Sequence, residues 1–277
     1  MIKKRKQNNL YKNYIYIIMF KKNIISFNIE KKIAKFTLNT KYPFSKLTND
    51  DLKYLKKYNL NDDLIISLKN AYIKNGIIIR HSHLKINMSL IAEEYSKSNV
   101  LYLSKKYDAT PINIIRNTFK YRGMDNTKIR YLFNNPNEMN EYDRNQFLVA
   151  KQYDIYGLVD ETKQLNKSLL FEKKIEKILI LNNIKFKTQE ELVKEQQKEG
   201  KIHSTPDFLI KSNLIIDGKN INWIDAKNFY GAYTPFIKQS IKKQTEKYLK
   251  NYGPGCIVFN YGFSSKLNFN NISIYNI

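Results

Sequence analysis

The chain has one cysteine, Cys256, in 277 residues. That excludes an internal disulfide framework and a zinc site built on cysteine. Its setting in the apolar run Cys256-Ile257-Val258-Phe259 marks a buried, inert thiol rather than a nucleophile. Glycine is sparse at 9 residues and proline at 6, and no glycine-rich run supplies a phosphate-cradling loop of the nucleotide-triphosphatase kind. There are 3 histidines. His81 and His83 follow Ile77-Ile78-Ile79 with no third metal ligand near them in sequence. His203 reads as a solvated loop residue. The single tryptophan, Trp223, reads as sheet-face or core packing. No apolar run approaches the ~18 residues of a membrane span, and no repeat of fixed period is present. Acidic residues are also short, with 25 Asp and Glu against 48 Lys and Arg, a net charge of +23.

What is present bounds the class. Hydrophobic residues make up 42% of the chain and charged residues 26%, which excludes a disordered tail and leaves enough apolar surface for a real core in one large or two modest domains. So positive a balance points to a polyanionic partner, nucleic acid ahead of an acidic membrane surface. Only 6 of the basic residues are arginine, and Lys, Asn, Ile, Tyr and Phe are all abundant, so part of the charge follows the codon bias of an AT-rich genome. Residues 1–25 carry seven basic and no acidic side chains. Lys3-Lys4-Arg5-Lys6 reads as a solvated tail, a nuclear-import signal or a phosphate-binding arm. Lys21 and Lys22, and the lack of a small-residue cleavage site, set Tyr14–Phe20 apart from a signal peptide. An intracellular setting, nucleus or cytoplasm, is expected.

Three zones follow: a basic segment (1–45), a helical region (46–160) and an α/β region (161–277). In the helical region Thr48-Asn49-Asp50-Asp51 opens a segment with Leu52 and Leu55 at helical spacing. Asn61-Asp62-Asp63 opens another that ends at Asn75-Gly76. A second pair runs through Val100–Tyr107, a turn at Asp108-Ala109-Thr110, and a helix started by Pro111. Both pairs suit a helix-turn-helix, and equally an ordinary two-helix hairpin. Arg116 and Lys120, beside Asn113 and Asn117 on the last helix, are the candidate nucleic-acid contacts.

The α/β region opens with an amphipathic helix, Ser168–Leu181, whose apolar face holds Phe171, Ile175, Ile178 and Leu179, with Glu172 beside that face. A short segment Ile184–Phe186 and a polar helix Gln189–Glu199 ending at Gly200 follow. Phe208–Ile216 then reads as a strand, Asp217-Gly218 as a hairpin turn, and Ile221–Ala226 as the return strand. Folding about that turn brings Asp207 beside Asp225 and Lys227, which share one face while Ala226 faces away. Two carboxylates held together repel unless a cation lies between them. Magnesium or manganese, hard ions that take oxygen ligands, fit the pair Asp207 and Asp225 with the Ala226 carbonyl. Such an ion activates water and clamps a phosphate oxygen, while Lys227 holds the water or offsets charge at phosphorus. The plainer alternative is a surface Asp–Lys pair and a turn aspartate.

Pro206-Asp207 with Asp225-Ala226-Lys227 resembles the PD-(D/E)XK nuclease signature. The resemblance implies a mixed sheet flanked by helices and metal-dependent cutting of nucleic acid. It also implies that Glu172 is the upstream acidic residue of the metal site. Gln244 and Tyr248 are similar to the Gln-x-x-x-Tyr pattern of RecB-like members, Gln244 orienting Lys227 or a phosphate and Tyr248 packing or touching the nucleic-acid backbone. More narrowly, Thr205-Pro206-Asp207, with Trp223-Ile224-Asp225-Ala226-Lys227, Phe229 and Gly231, and Tyr252-Gly253-Pro254-Gly255 leading into Tyr261-Gly262-Phe263, resembles the TPD-motif family. That resemblance implies a codanin-like protein partner and helix-turn-helix-like segments ahead of the nuclease core. Lys238, Lys242, Lys243 and Lys247, at helical spacing, either track a nucleic-acid backbone or form a solvated face. The expectation is an α/β metal-dependent nuclease acting on DNA, branched or single-stranded substrates included. A non-catalytic DNA- or protein-binding module of the same fold is the alternative.

Overall fold

The computed structural model describes residues 20–158, 160–200 and 203–277. The basic run Lys3–Lys6 therefore lies outside the described residues. The first elements are β1 (Ile24–Ile25), α1 (Phe27–Leu38), α2 (Asn49–Leu55), α3 (Asp62–Ile86), α4 (Met88–Tyr95), α5 (Val100–Lys106), α6 (Pro111–Tyr121), α7 (Asn126–Asn134) and α8 (Glu141–Tyr153). Then come α9 (Glu161–Leu181), β2 (Phe186–Thr188), α10 (Gln189–Glu199), β3 (Phe208–Ile210), β4 (Ile215–Ile216), β5 (Lys219–Asn220) and β6 (Trp223–Lys227). The chain closes with α11 (Pro235–Tyr252), β7 (Gly255–Phe259), β8 (Phe263–Ser264) and β9 (Ile272–Asn276). Two compact units result. One holds Tyr58–Ala71 and Glu161–Ile277 with the described residues up to Ile33; the other holds Ala34–Lys57 and Tyr72–Asp160. Among the described residues no helix is long and apolar enough to cross a membrane.

The helical unit is written locally in its caps. Thr48 caps α2 in a capping box with Asp51, and Thr110 caps α6 with Pro111 in its first turn. Asp125 and Asn140 accept the first-turn N–H groups of α7 and α8 in the same way. Ile91, Tyr95, Leu103, Ile112, Phe119 and Phe147 meet in one buried cluster. One expectation fails here: α3 does not stop at Asn75-Gly76 but runs on to Ile86. A lone glycine inside a helix costs only about 1 kcal/mol. The bare Cα also makes room for the Arg80 side chain, which would lie 2.3 Å from a Cβ at that position. His81 and His83 thus sit exposed on a helix.

The other unit is built on a mixed five-stranded sheet in the order β2-β3-β6-β7-β9. β3 runs antiparallel to both of its neighbours, β2 and β6, whereas β6, β7 and β9 are parallel. A parallel neighbour requires a crossover, and α11 supplies it between β6 and β7. The inner strands read as continuous apolar runs because both sheet faces are covered. On one face Phe171, Ile175 and Leu179 of α9 join Ile224, Cys256 and Val258 in a core cluster. On the other, Trp223 meets Tyr248 of α11 edge to face at 5.1 Å. The expected strand Phe208–Ile216 is broken. β3 ends at Ile210, the polar Lys211-Ser212-Asn213 intervenes, and Ile215-Ile216 pair instead with Lys219-Asn220 in a small hairpin. Its turn is Asp217-Gly218, with φ of 49° and 72°, the two left-handed residues that a type I′ turn needs.

Gly255 opens β7 flat against the indole of Trp223: a Cβ there would lie 2.2 Å from two ring carbons. The indole cannot yield, because its Nε1 donates to the Gly253 carbonyl at 2.8 Å and Tyr248 packs on it. Gly255→Ala should therefore lower the free energy of unfolding by about 3 kcal/mol through overpacking. Urea titration followed by tryptophan fluorescence measures this, and a change below about 0.5 kcal/mol would show that the contact gives way.

Candidate active site

β3 and β6 pair with Phe208 opposite Ile224. That register sets Asp207, just ahead of β3, level with Asp225. The Ala226 N–H donates to Asp207 Oδ2 at 2.6 Å, which ties the two strand ends together. Asp225 is 1% exposed. Its Oδ2 lies 2.5 Å from Lys227 Nζ as an ion pair, yet this buried oxygen accepts no hydrogen bond. Lys227 Nζ instead donates to Gln244 Oε1 at 3.0 Å. The Gln244 amide donates onward to Tyr248 Oη at 2.7 Å and to Asp225 Oδ1 at 3.3 Å. Tyr248 Oη donates to the Thr205 carbonyl at 2.9 Å. One closed network thus joins the turn of sequence before β3, the end of β6 and one face of α11.

Gln244 and Tyr248 reach the same spot because residues four apart share a helix face. Tyr248 is 2% exposed and its hydroxyl is used inside the network. Lys243, one position earlier than Gln244, is exposed. Glu172 is half-buried on α9. Burial raises its carboxyl, and the Asp225 charge raises it further against the opposing pull of Lys227. Burial acts most strongly on Asp207, with the Asp225 charge second. Together they push it up to about 7 despite the Ala226 N–H and Lys227. Burial and the Asp225 charge also raise the Tyr248 phenol and the Cys256 thiol, leaving both inert.

The expected residues Asp207, Asp225, Lys227 and Gln244 are brought together, and Glu172 couples to them electrostatically. Among the described residues no three His, Cys, Asp or Glu side chains form a ready-made metal cluster. The donor set nonetheless suits one hard ion. Once all three are ionised, three carboxylates against one ammonium leave a deficit of two positive charges, and Asp225 Oδ2 is buried without a hydrogen-bond donor. Arg116 and Lys120 belong to the helical unit. Lys120 is exposed, while Arg116 donates to Asn113 Oδ1 and the Gly157 carbonyl and lies over the Phe133 ring. His203 is exposed, with its backbone N–H donating to Gln196 Oε1. The Thr205 carbonyl was not legible as part of the network, because a backbone acceptor leaves no mark on residue type.

A family model described as a protein of unknown function with the TPD sequence motif matches residues 138–276, a span that contains Thr205-Pro206-Asp207. Uncharacterized protein L539 of Acanthamoeba polyphaga mimivirus is 32% identical over 229 residues, covering 80% of this chain and 78% of that protein. Similarity to CDAN1-interacting nuclease 1 is more local. It is 27% over 93 residues for the Homo sapiens protein, covering 34% of this chain and 31% of that one. For the Gallus gallus protein it is 30% over 63 residues, 23% of each. No solved structure matches.

Proposed function

The chain belongs to the TPD sequence-motif family, and on that footing we propose that it is a divalent-metal-dependent nuclease with a PD-(D/E)XK core, hydrolysing phosphodiester bonds in DNA. The observation that carries this reading is the convergence of Asp207, Asp225 and Lys227 at one strand end, braced by Gln244. Local similarity to proteins named as nucleases supports it.

Asp207, Asp225 and the Ala226 carbonyl are the residues to hold magnesium or manganese, with Glu172 in support. When bound, such an ion supplies charge neutralisation at the scissile phosphate and a more acidic water. Lys227 is 15% exposed along its side chain. Pinned between Asp225 and Gln244, it presents an ammonium in a fixed place, where it orients the attacking water and offsets charge growing on the phosphate oxygens. Gln244 is a positioning residue for Lys227. Tyr248 fixes Gln244 and the Thr205-Pro206-Asp207 backbone. A codanin-like protein partner follows from the family resemblance alone, and no residue of this chain is assigned to it.

Calorimetric titration with Mn2+ separates this reading from a binding module of the same fold. Saturable binding that Asp207→Ala abolishes is the expected result. DNA binding indifferent both to metal and to Asp207→Ala, with no saturable Mn2+ site, would favour the binding module.

A further inference from the structure

The helical unit contains a cavity of about 1090 Å3 that owes nothing to the carboxylate network. The end of α1 and the loop after it, the second half of α3, and α5 form its walls, with Tyr153 closing one side. It exceeds the ~300–1,000 Å3 typical of small-molecule sites. Its charge is one-sided. Lys35, Lys41, Arg80 and Lys105 line it against a single acid, Asp108, which pairs with Arg80, so four cations less one acid leave three positive charges. Lys35, Lys41 and Lys105 are all exposed.

Aromatic side chains line the cavity as well. Tyr102 lines the cavity while 57% exposed. Tyr42 and Tyr153 sit with ring centroids 4.1 Å apart, and Lys41 Nζ lies 5.3 Å from the Tyr42 centroid. Three exposed lysines and the exposed Tyr102 ring lining one cavity match an extended polyanion that carries planar groups. A compact anion would need converging donors instead. A duplex hides its base faces in the stack, so an exposed ring such as Tyr102 favours unpaired bases.

We propose that this cavity is a groove for single-stranded nucleic acid, its phosphates meeting Lys35, Lys41 and Lys105 and a base stacking on Tyr102. The groove goes beyond the nuclease reading and is tested apart from it, in chelator, where no metal-dependent cleavage occurs. The experiment is fluorescence anisotropy on the full chain with labelled oligothymidine, oligouridine and a duplex of the same length.

Either single strand should bind more tightly than the duplex; the thymidine and uridine arms decide between DNA and RNA. Tyr102→Ala should weaken single-strand binding about tenfold and Tyr102→Phe should restore it, since base stacking needs the ring and not the hydroxyl. Lys41→Ala with Lys105→Ala should flatten the logarithmic salt dependence by about 1.4, at about 0.7 per lost phosphate contact. All three side chains are at or near the surface, so wild-type thermal midpoints are expected. Duplex bound as tightly as single strand, Tyr102→Ala within twofold of wild type, or polyglutamate displacing the strand as well as unlabelled oligothymidine would each overturn the proposal. A chain that binds strands this way but never cuts them would defeat the nuclease reading alone.

Discussion

Lys227→Ala should lower the metal-dependent cleavage rate by about 10²–10³-fold, the range for removing one preorganised group that stabilises charge in the transition state. The side chain is held at both sides, 2.5 Å from Asp225 and 3.0 Å from Gln244, so its charge is in place before substrate arrives and costs no reorganisation. Removing it also leaves the Asp225 carboxylate buried without its counter-ion, which destabilises the fold. Melting curves for the variant must therefore accompany the rates. Gln244→Ala keeps the ammonium and loses only its brace. A smaller fall, on the order of tenfold, is expected from it, with a shifted pH–rate profile that mere loss of stability would not give. Cleavage by Lys227→Ala within threefold of wild type would remove Lys227 from the chemistry.

The metal-free protein should lose stability as pH rises through the range set by Asp207. Its carboxyl titrates near 7 in the folded chain against an ordinary value of 3.8. Below pH ~4 both folded and unfolded states carry the proton, and the group's contribution is fully present. Between ~4 and ~7 only the folded state keeps it, so stability falls by about 1.4 kcal/mol per pH unit, roughly 4 kcal/mol in all. Above 7 both states are ionised and the loss is complete. Asp207→Asn keeps an oxygen for the Ala226 N–H and removes the charge facing Asp225. In chelator at pH 8 the variant should be more stable than wild type by up to about 4 kcal/mol, the difference vanishing near pH 4. Denaturant titrations of both proteins across that range give the answer. A variant less stable at pH 8 would mean that Asp207 is stabilised as an anion, contrary to the cation-seeking pair described above.

Much of the site could be read from the chain because its geometry is local. Strand alternation puts Asp225 and Lys227 on one face, and i,i+4 spacing carries Gln244 and Tyr248 to the same place. The turn at Asp217-Gly218 marked the reversal of the chain, but the β3–β6 pairing that sets Asp207 against Asp225 is offset from the small hairpin it closes. Capping residues likewise announced the starts of α2 and α6, and Gly200 the end of α10. The rest depends on contacts between distant residues, which leave no period in the sequence. β9 is recognisable only once it lies parallel to β7. Ile24-Ile25 becomes a strand by pairing with Phe263-Ser264, more than 230 residues away. Ser67 joins the sheet unit by accepting the Tyr230 N–H at 2.8 Å. The break after Ile210 was hidden because Leu214, Ile215 and Ile216 continue the apolar pattern while pairing elsewhere.

Cleavage of labelled branched and single-stranded DNA by wild type and Asp225→Ala, side by side with Mg2+ or Mn2+ and with chelator, bears most directly on the carboxylate pair as a nuclease centre. Cutting by the wild type that requires the metal and disappears in Asp225→Ala is the predicted result. A folded wild type that cuts nothing, or cutting that survives in Asp225→Ala or in chelator, would contradict it.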